Sequence, residues 1–245
     1  MKIVDAVWEK RNLGVTCCEL CLEERDILQE IKDIYAGINE KQYMVVGIPS
    51  SRYDLVQFFQ SQGYTFIEAA ITLEHNLEEV NFSKKLMRIC NKCTWEQMDD
   101  HDMSLLSNEI YKNIFKTDRI YIDPMFTKRQ AAQRYDFWIK DLINSGNIPY
   151  KVMFGGETVG FFLNKEREEN VYDGLLAATY SDFEGSGMGY CIQYAGIKSA
   201  IDRGAHKYIG HISANNPAVL KVLLSIGFYI KTIEYKFIKH NKGEK

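Results

Sequence analysis

Residues Glu184-Gly-Ser-Gly-Met-Gly189 stand between a β-rich stretch, Val171–Thr179, and an apolar stretch that runs to about Arg203. Three glycines at alternate positions let the backbone bend sharply and keep side chains clear, so successive N–H groups can converge in front of a helix N-terminus. Unpaired amides and the helix dipole there both offer positive potential to a pyrophosphate. The run is G-x-G-x-G. It is not the G-x-G-x-x-G of dinucleotide-binding folds, it comes late in the chain, and no acidic residue ends a following strand in the matching place. The G-K-[ST] of a Walker loop is absent. Taken alone, the run also reads as a flexible turn without a ligand.

The flanking sequence supplies a pattern of alternating strands and helices. Downstream, Lys207–Ile212 reads as a strand, Asn215 or Asn216 opens a helix closed by Gly227, and Phe228–Lys239 is a final strand. Upstream, Thr127–Ser145 has helical spacing, and Tyr150–Phe154 and Thr158–Leu163 are strands joined at Gly155-Gly156. A charged loop, Asn164–Asn170, leads to Val171. In the N-terminal part, residues 14–22 read as a strand and 24–35 as a helix with Ile27, Leu28, Ile31 and Ile34 on one side. Tyr43–Ile48 is a strand, Ser50 or Ser51 caps the next helix, Gly63 ends it, and Tyr64–Leu73 is a strand. Residues 76–118 are polar and irregular, with helical content near Met103–Phe115, and read as a linker that separates 1–118 from 119–245.

These two parts share an echo. Pro49–Leu73 lies over Ser213–Phe237 without a gap, Gly63 falling on Gly227, a shift of 164 positions. Leu55, Val56, Phe58 and Phe59 fall on Val219, Leu220, Val222 and Leu223. Two readings stay open: any two strand–helix–strand segments look alike, or the first is a degenerate copy of the second. Nothing before residue 120 matches Gly185–Gly189, so the first copy lacks this phosphate cradle on either reading.

Composition narrows the class. The chain has 245 residues, 46% of them hydrophobic, which suffices for a packed core. Thirty Lys and Arg against 33 Asp and Glu leave a net charge of −3, which gives no support to binding nucleic acid by bulk charge. No stretch approaches the ~18–20 apolar residues of a membrane span. Residues 1–11 carry Asp5, Glu9, Lys10 and Arg11 and lack the apolar run of a signal peptide, so the expected compartment is the cytoplasm. The pairs Cys18/Cys21 and Cys90/Cys93 lie too far apart for a zinc ribbon, and on a strand Cys18 and Cys21 face opposite sides. Reduced, partly buried thiols are the expectation, ahead of a metal site or disulfides.

A strand, a glycine loop at Glu184–Gly189, a helix, a strand and then Asn216-x(10)-Gly227-Phe228 together resemble the GNAT N-acetyltransferases over about residues 119–240. The resemblance implies an α/β GNAT fold: a mixed, mostly antiparallel central sheet flanked by helices. With the echo, it implies a degenerate N-terminal half-GNAT α/β domain in 1–118 before a catalytic domain in 119–245. It implies acetyl-CoA as co-substrate and no metal. The amides of Gly185, Ser186, Gly187, Met188 and Gly189 would take the pyrophosphate, the strand end Ala178-Thr179-Tyr180 the pantetheine arm, and Asn216 a further coenzyme contact. Two positions depart from the family pattern. Its Arg or Gln is Glu184, and the tyrosine that protonates the departing thiolate is Leu223.

Only a neutral amine attacks a thioester. An α-amino-like amine, pKa about 8, needs little help, and a lysine-like amine near 10 needs a base. His211, on the strand before Asn216, is the best-placed proton acceptor, with Tyr180 and Tyr229 behind it. A hydrogen-bonded strand histidine with no role is the plain alternative. On the acceptor side, Arg119-Ile-Tyr-Ile-Asp-Pro-Met-Phe126 with Tyr135 and Trp138 is similar to transferases related to dTDP-fucosamine acetyltransferase. Trp8-Glu9, Leu13-Gly14-Val15 and Ser51-Arg52-Tyr53-Asp54-Leu55 resemble the N-terminal motif of those enzymes. That resemblance implies a primary amine on a nucleotide-linked amino sugar, with Arg119, Tyr121, Asp123 and Phe126 binding it. Tyr135 and Trp138, at i and i+3, read equally as the buried stripe of a helix. The implied partners are this small-molecule amine and coenzyme A, with a homodimer compatible and no nucleic acid or membrane. Rival readings are a transferase acting on a protein, peptide or antibiotic amine, an inactive acyl-CoA-binding module, and a structural partner-binding domain.

Overall fold

The computed structural model describes residues 1–38, 40–77 and 82–241. The N-terminal half runs β1 (Lys2–Asp5), α1 (Trp8–Leu13), β2 (Cys17–Cys21), α2 (Leu28–Ile38), β3 (Tyr43–Pro49), α3 (Tyr53–Ser61) and β4 (Thr65–Asn76). Then come α4 (Lys84–Cys90), β5 (Cys93–Gln97), α5 (Asp100–Tyr111) and α6 (Arg119–Ile122). The C-terminal half continues with α7 (Lys128–Asn144), β6 (Pro149–Phe154), β7 (Glu157–Glu168), β8 (Val171–Thr179), α8 (Gly189–Ile201), β9 (Lys207–Ser213), α9 (Pro217–Ser225) and β10 (Tyr229–His240). All the strands join one sheet in the order β1-β2-β3-β10-β4-β9-β8-β7-β6-β5. Only β2/β3 and β8/β9 are parallel, so the expected mixed, mostly antiparallel sheet is the one observed.

Local chemistry sets the helix ends. Thr127 and Gln130 form a reciprocal capping box at the start of α7, and Asp99 and Asp102 do the same for α5. Asn216 accepts from Val219 N, and Pro217 sits in the first turn of α9, where a missing N–H costs nothing. The helices then cover both faces. Ile31, Tyr35, Leu55 and Phe59 of α2 and α3 pack on Leu20, Met44 and Val46, while Ile197, Ala200 and Leu223 of α8 and α9 pack on Ile71, Leu73 and Tyr208. On the opposite face, Tyr135 and Ile139 of α7 meet Phe161 and Leu176, and Ala131 meets the cluster of Tyr43, Val45 and Phe126. Helix α7 therefore spans both halves. Each fully buried Leu or Phe in these layers contributes ~1.5–3 kcal/mol.

The echo has a structural counterpart. Elements β3, α3 and β4 fall on β9, α9 and β10 at both ends under the same shift of 164 residues. Their pairing registers match too: Glu234↔Pro49 and His240↔Tyr43 on one side repeat as Ala70↔Ser213 and Asn76↔Lys207 on the other. Strands β4 and β10 are exchanged, each lying between the other and the partner's preceding strand, and they pair antiparallel about Glu234↔Ala70.

Several sequence expectations need correction. Residues 76–118 are not a linker. They form α4, β5 and α5, and β5 extends the sheet by pairing with β6; residues 78–81 of that stretch lie outside the described residues. Strand β5 escapes a periodicity reading because it is a short edge strand with only Cys93 buried. The charged run from Asn164 is largely strand, since β7 continues to Glu168. Neither Ser50 nor Ser51 caps α3; Arg52 holds that position without a side-chain cap bond. Helix α2 starts later than expected, at Leu28. The two cysteine pairs sit near opposite ends of the sheet, on β2 and at the α4–β5 junction, and no cysteine is in a disulfide. No helix among the described residues is long and apolar enough to cross a membrane. Residues 242–245, at the end of the second expected unit, are outside the described residues.

Candidate active site

Strands β8 and β9 run parallel and pair only from Val171↔Lys207 to Gly174↔Gly210. Beyond that point β8 stays on β7, through Leu176, Ala177, Ala178 and Thr179, while β9 stays on β4. A β-bulge leaves Leu175 without a partner where the strands part, because Leu163 pairs with Leu176 and Asn164 with Gly174. The two strands therefore splay, and the edge of β8 from Leu175 onward faces the gap with free backbone groups. Two glycines make room for Tyr208 beside the point of parting. A Cβ on Gly174 would lie 2.5 Å from the Tyr208 hydroxyl, and one on Gly196 would lie 3.2 Å from it. Tyr208 is buried and hydrogen-bonds Asn164 at 2.5 Å, so it cannot give way.

The gap opens into a cavity of about 1030 Å³ whose wall includes Leu175, Ala177, His211, Asn216 and Leu223. The cavity passes through the sheet. Tyr208, Ile212 and Leu223 belong to the α8/α9 layer, so by strand alternation Ile209, His211 and Ser213 turn to the α6/α7 face. On that face the wall is formed by Asp118, Arg119, Arg134, Tyr135 and Trp138.

The glycine loop leads directly into α8, and residues 184–189 themselves are not among those lining the cavity. Gly185 and Gly187 have φ of +76° and +85°, and a Cβ on either would meet nothing within 4 Å. Among the described residues, the amides of Gly185, Gly187 and Gly189 donate to no protein acceptor, and α8 begins without a side-chain cap. Ser186 shapes the bend: its hydroxyl donates to Phe183 O at 2.5 Å and accepts from Met188 N at 3.3 Å. Gln193, one turn beyond Gly189 on the same side of α8, lines the cavity. Glu184 does not face the loop uncompensated; it accepts from Lys116 Nζ at 2.6 Å. Lys116 was missed in the sequence because it lies 68 residues upstream in an apparently irregular stretch.

The other expected site residues divide. His211 is half exposed on the cavity wall, with Nδ1 3.3 Å from Thr72 Oγ1 and Nε2 3.6 Å from Asp173 Oδ1. Ala178 and Thr179 lie on the free edge of β8, and Asn216 caps α9 at the cavity wall. Tyr180 is instead buried against Leu106, Ile110 and Phe161, and burial pushes its phenol well above the usual range, so it does not face the gap. Tyr229 donates to Glu74 at 3.1 Å. Of the acceptor-side residues, Arg119 lines the cavity but pairs with Glu19. Asp123 is 1% exposed and bound to His240 at 2.8 Å, and Phe126 packs edge-on against Tyr43 at 5.1 Å. Tyr121 packs beside that cluster, and its carbonyl accepts from Lys128. These three lie behind the wall, whereas Tyr135 and Trp138 are on it.

The wall residues missed by the sequence reading form a buried ionic group. Arg134 donates to Glu9 at 2.8 Å and lies 3.8 Å from Asp118. Arg119 holds the Glu19 carboxyl below the usual carboxylate range. Glu68 of β4, 6% exposed, is pushed above that range by burial, against a hydrogen bond from Ser213.

The symmetry-related place in the N-terminal half carries different residues, although Leu22, Glu24 and Pro49 there also line the cavity. Arg52 stands where Asn216 stands, and its guanidinium donates to the carbonyls of Glu24 and Asp26, both at 2.7 Å, across the β2–α2 loop. Gly47 stands where His211 stands, and a Cβ there would overlap the Glu234 carboxylate, which pairs with Lys236 at 2.5 Å.

No protein-family model and no curated protein matches the sequence. Among solved structures, the chain resembles a GCN5-related N-acetyltransferase from Sphaerobacter thermophilus, with TM-score 0.58 and 11% identity over 91% of this chain and 73% of the other. It resembles a tandem GNAT protein from the clavulanic acid biosynthesis pathway, with TM-score 0.59 and 9% identity over 94% and 76%. It also resembles the GCN5-related glucosamine N-acetyltransferase region of a fungal multi-domain GH3 β-N-acetylglucosaminidase, with TM-score 0.63 and 11% identity over 97% of this chain and 31% of that one. At these identities the likeness is one of architecture, and the architecture of this chain is the GCN5-related N-acetyltransferase fold.

Proposed function

We propose that the protein is an acetyl-CoA-dependent N-acetyltransferase acting on a primary amine. The observation that carries the reading is the splay of β8 from β9 at Leu175, which opens a cavity lined by Gln193 of α8, Asn216 and His211, with a glycine loop at the uncapped start of α8. The pyrophosphate would lie on the amides of Gly185, Gly187 and Gly189, and the pantetheine along the free edge of β8 at Ala178 and Thr179. The thioester carbonyl would reach the unpaired bulge at Leu175, where a backbone N–H stabilises the developing oxyanion. The acceptor enters from the α6/α7 face. Its neutral nitrogen attacks the carbonyl carbon, the C–S bond breaks, and the amine proton ends on the coenzyme thiol. A thiol of pKa about 8.5 leaves without a strong donor, which is consistent with Leu223 in place of a tyrosine. The division into an N-terminal half-GNAT unit, 1–118, and a catalytic unit, 119–245, belongs to the same proposal.

For the acceptor we infer a nucleotide-linked amino sugar. Tyr135 and Trp138 on the cavity wall offer flat apolar faces to a sugar ring, and Asp118 and Glu68 beside them suit its polar groups. Thiol release, measured with acetyl-CoA against amino-sugar nucleotides, aminoglycosides and peptides, tests both parts. Turnover only with peptides removes the sugar acceptor. Coenzyme binding without turnover on any amine favours a binding module, and no coenzyme binding removes the reading.

A further inference from the structure

Asp173 carries an unexplained buried oxygen. It lies on β8 one residue before the strands part, is 9% exposed, and its Oδ1 is buried without a hydrogen-bond partner. Its near neighbours are His211 Nε2 at 3.6 Å and Arg167 Nη1 at 3.8 Å. The parallel register sets Asp173 beside Ile209, so Asp173 and His211 share the α6/α7 face of the sheet. Thr72 pairs directly with His211 across β4 and β9, and its hydroxyl lies 3.3 Å from Nδ1. One ring nitrogen thus faces a carboxylate that can only accept, and the other faces a hydroxyl that can donate. Other charges facing this side are Arg167, already on Asp173, Lys165 of β7, which pairs with Asp173 across the ladder, Glu74 of β4, held by Lys231 of β10, and Glu68, Asp118, Arg119 and Arg134 on the cavity wall.

We propose that Asp173, His211 and Thr72 form a proton relay contributed by both halves of the chain. Asp173 is a positioning residue: it holds His211 with its proton on Nε2, which leaves the Nδ1 lone pair toward Thr72. As the acceptor nitrogen bonds to the thioester carbon, an N–H bond breaks and its proton passes to Thr72 Oγ1, while the Thr72 O–H proton passes to His211 Nδ1. The imidazolium formed faces the Asp173 carboxylate. On collapse of the adduct the C–S bond breaks, and the proton returns along the same path to the thiolate sulfur. No oxidant or metal enters the balance. The assignment of roles rests on the acetyltransferase reading, but the tautomer does not.

Nitrogen-15 NMR of the free protein reads the tautomer without any turnover. The His211 signals should show Nε2–H with an unprotonated Nδ1 above the imidazole titration, and Asp173→Asn should abolish that preference. An Nδ1–H form in the wild type overturns the proposal, whatever the activity. In kinetics, Thr72→Val should lower kcat/KM by about 10²-fold, in the range of a lost acid–base group, and Thr72→Ser should restore most of it. Thr72→Val within twofold of wild type overturns the relay. Absence of turnover on every amine instead removes the acetyltransferase reading and leaves the tautomer result standing.

Discussion

Thr72 and His211 meet across the β4–β9 ladder, hydroxyl to imidazole at 3.3 Å, although 139 residues separate them. That contact exists because β4 lies between β10 and β9 in the sheet, so a strand from the N-terminal part of the chain flanks β9 at the cavity. With His211 as proton acceptor, His211→Ala should lower the rate about 10²-fold at pH 6.5. Near pH 9 the loss should be much smaller, because more of the acceptor amine is already neutral. Rates of thiol release at the two pH values check this, and equal losses remove His211 from the chemistry.

Gly187 has φ +85° and open space where a side chain would project. Gly187→Val should cost ~1–2 kcal/mol in backbone strain and leave the fold intact. Coenzyme affinity should fall at least about tenfold, since the side chain takes the place of a phosphate oxygen. Calorimetric titration with coenzyme A, alongside circular dichroism, separates the two effects.

Arg119 pairs with Glu19 under the cavity floor, and both side chains are largely buried. Arg119→Ala leaves an unpaired carboxylate there and should destabilise the protein by about 3–5 kcal/mol at pH 7. Arg119 holds the folded Glu19 carboxyl below its unfolded value, so the pair contributes fully above the usual glutamate range, near pH ~4.3. Its contribution is lost as pH falls through the lower, folded value. Urea unfolding of wild type and variant at pH 7 and in acid should show the difference shrinking.

Glu68 has the opposite sign. Burial raises its carboxyl, so the folded protein disfavours the ionised form, and stability from this group falls as pH rises through the raised value. Glu68→Gln keeps the shape and removes that cost. The variant should melt higher than wild type at pH 7–8 and match it near pH ~4, below the ordinary glutamate value. A lower melting temperature at neutral pH would mean that Glu68 is held by a cation instead.

Elements with strong local signals are visible in the sequence and present in the structure. Helical spacing over Thr127–Ser145 announces α7, Asn216 announces α9, and the echo of Pro49–Leu73 in Ser213–Phe237 anticipates two segments whose helix and strand ends coincide. In the glycine bend, a Cβ on Gly185 or Gly187 would meet nothing within 4 Å. Strand β5 and helix α4 were invisible because an edge strand with one buried side chain has no period to read. Tyr180, Asp123 and Phe126 were assigned by position in a motif, and a motif does not say which side of a strand or helix meets the cavity.

Sequence alone thus determined helix α7, the repeated strand–helix–strand of β3–α3–β4 and β9–α9–β10, and a glycine bend before α8. These depend on contacts within about twenty residues, where spacing and turn chemistry decide. Tertiary structure alone decided where β8 leaves β9, that Thr72 and Asp173 flank His211, that Lys116 neutralises Glu184, and that Arg52 binds the β2–α2 loop. Those are products of strand order and register. A one-residue slip would turn each such side chain to the other face of the sheet, and no local pattern records which register wins.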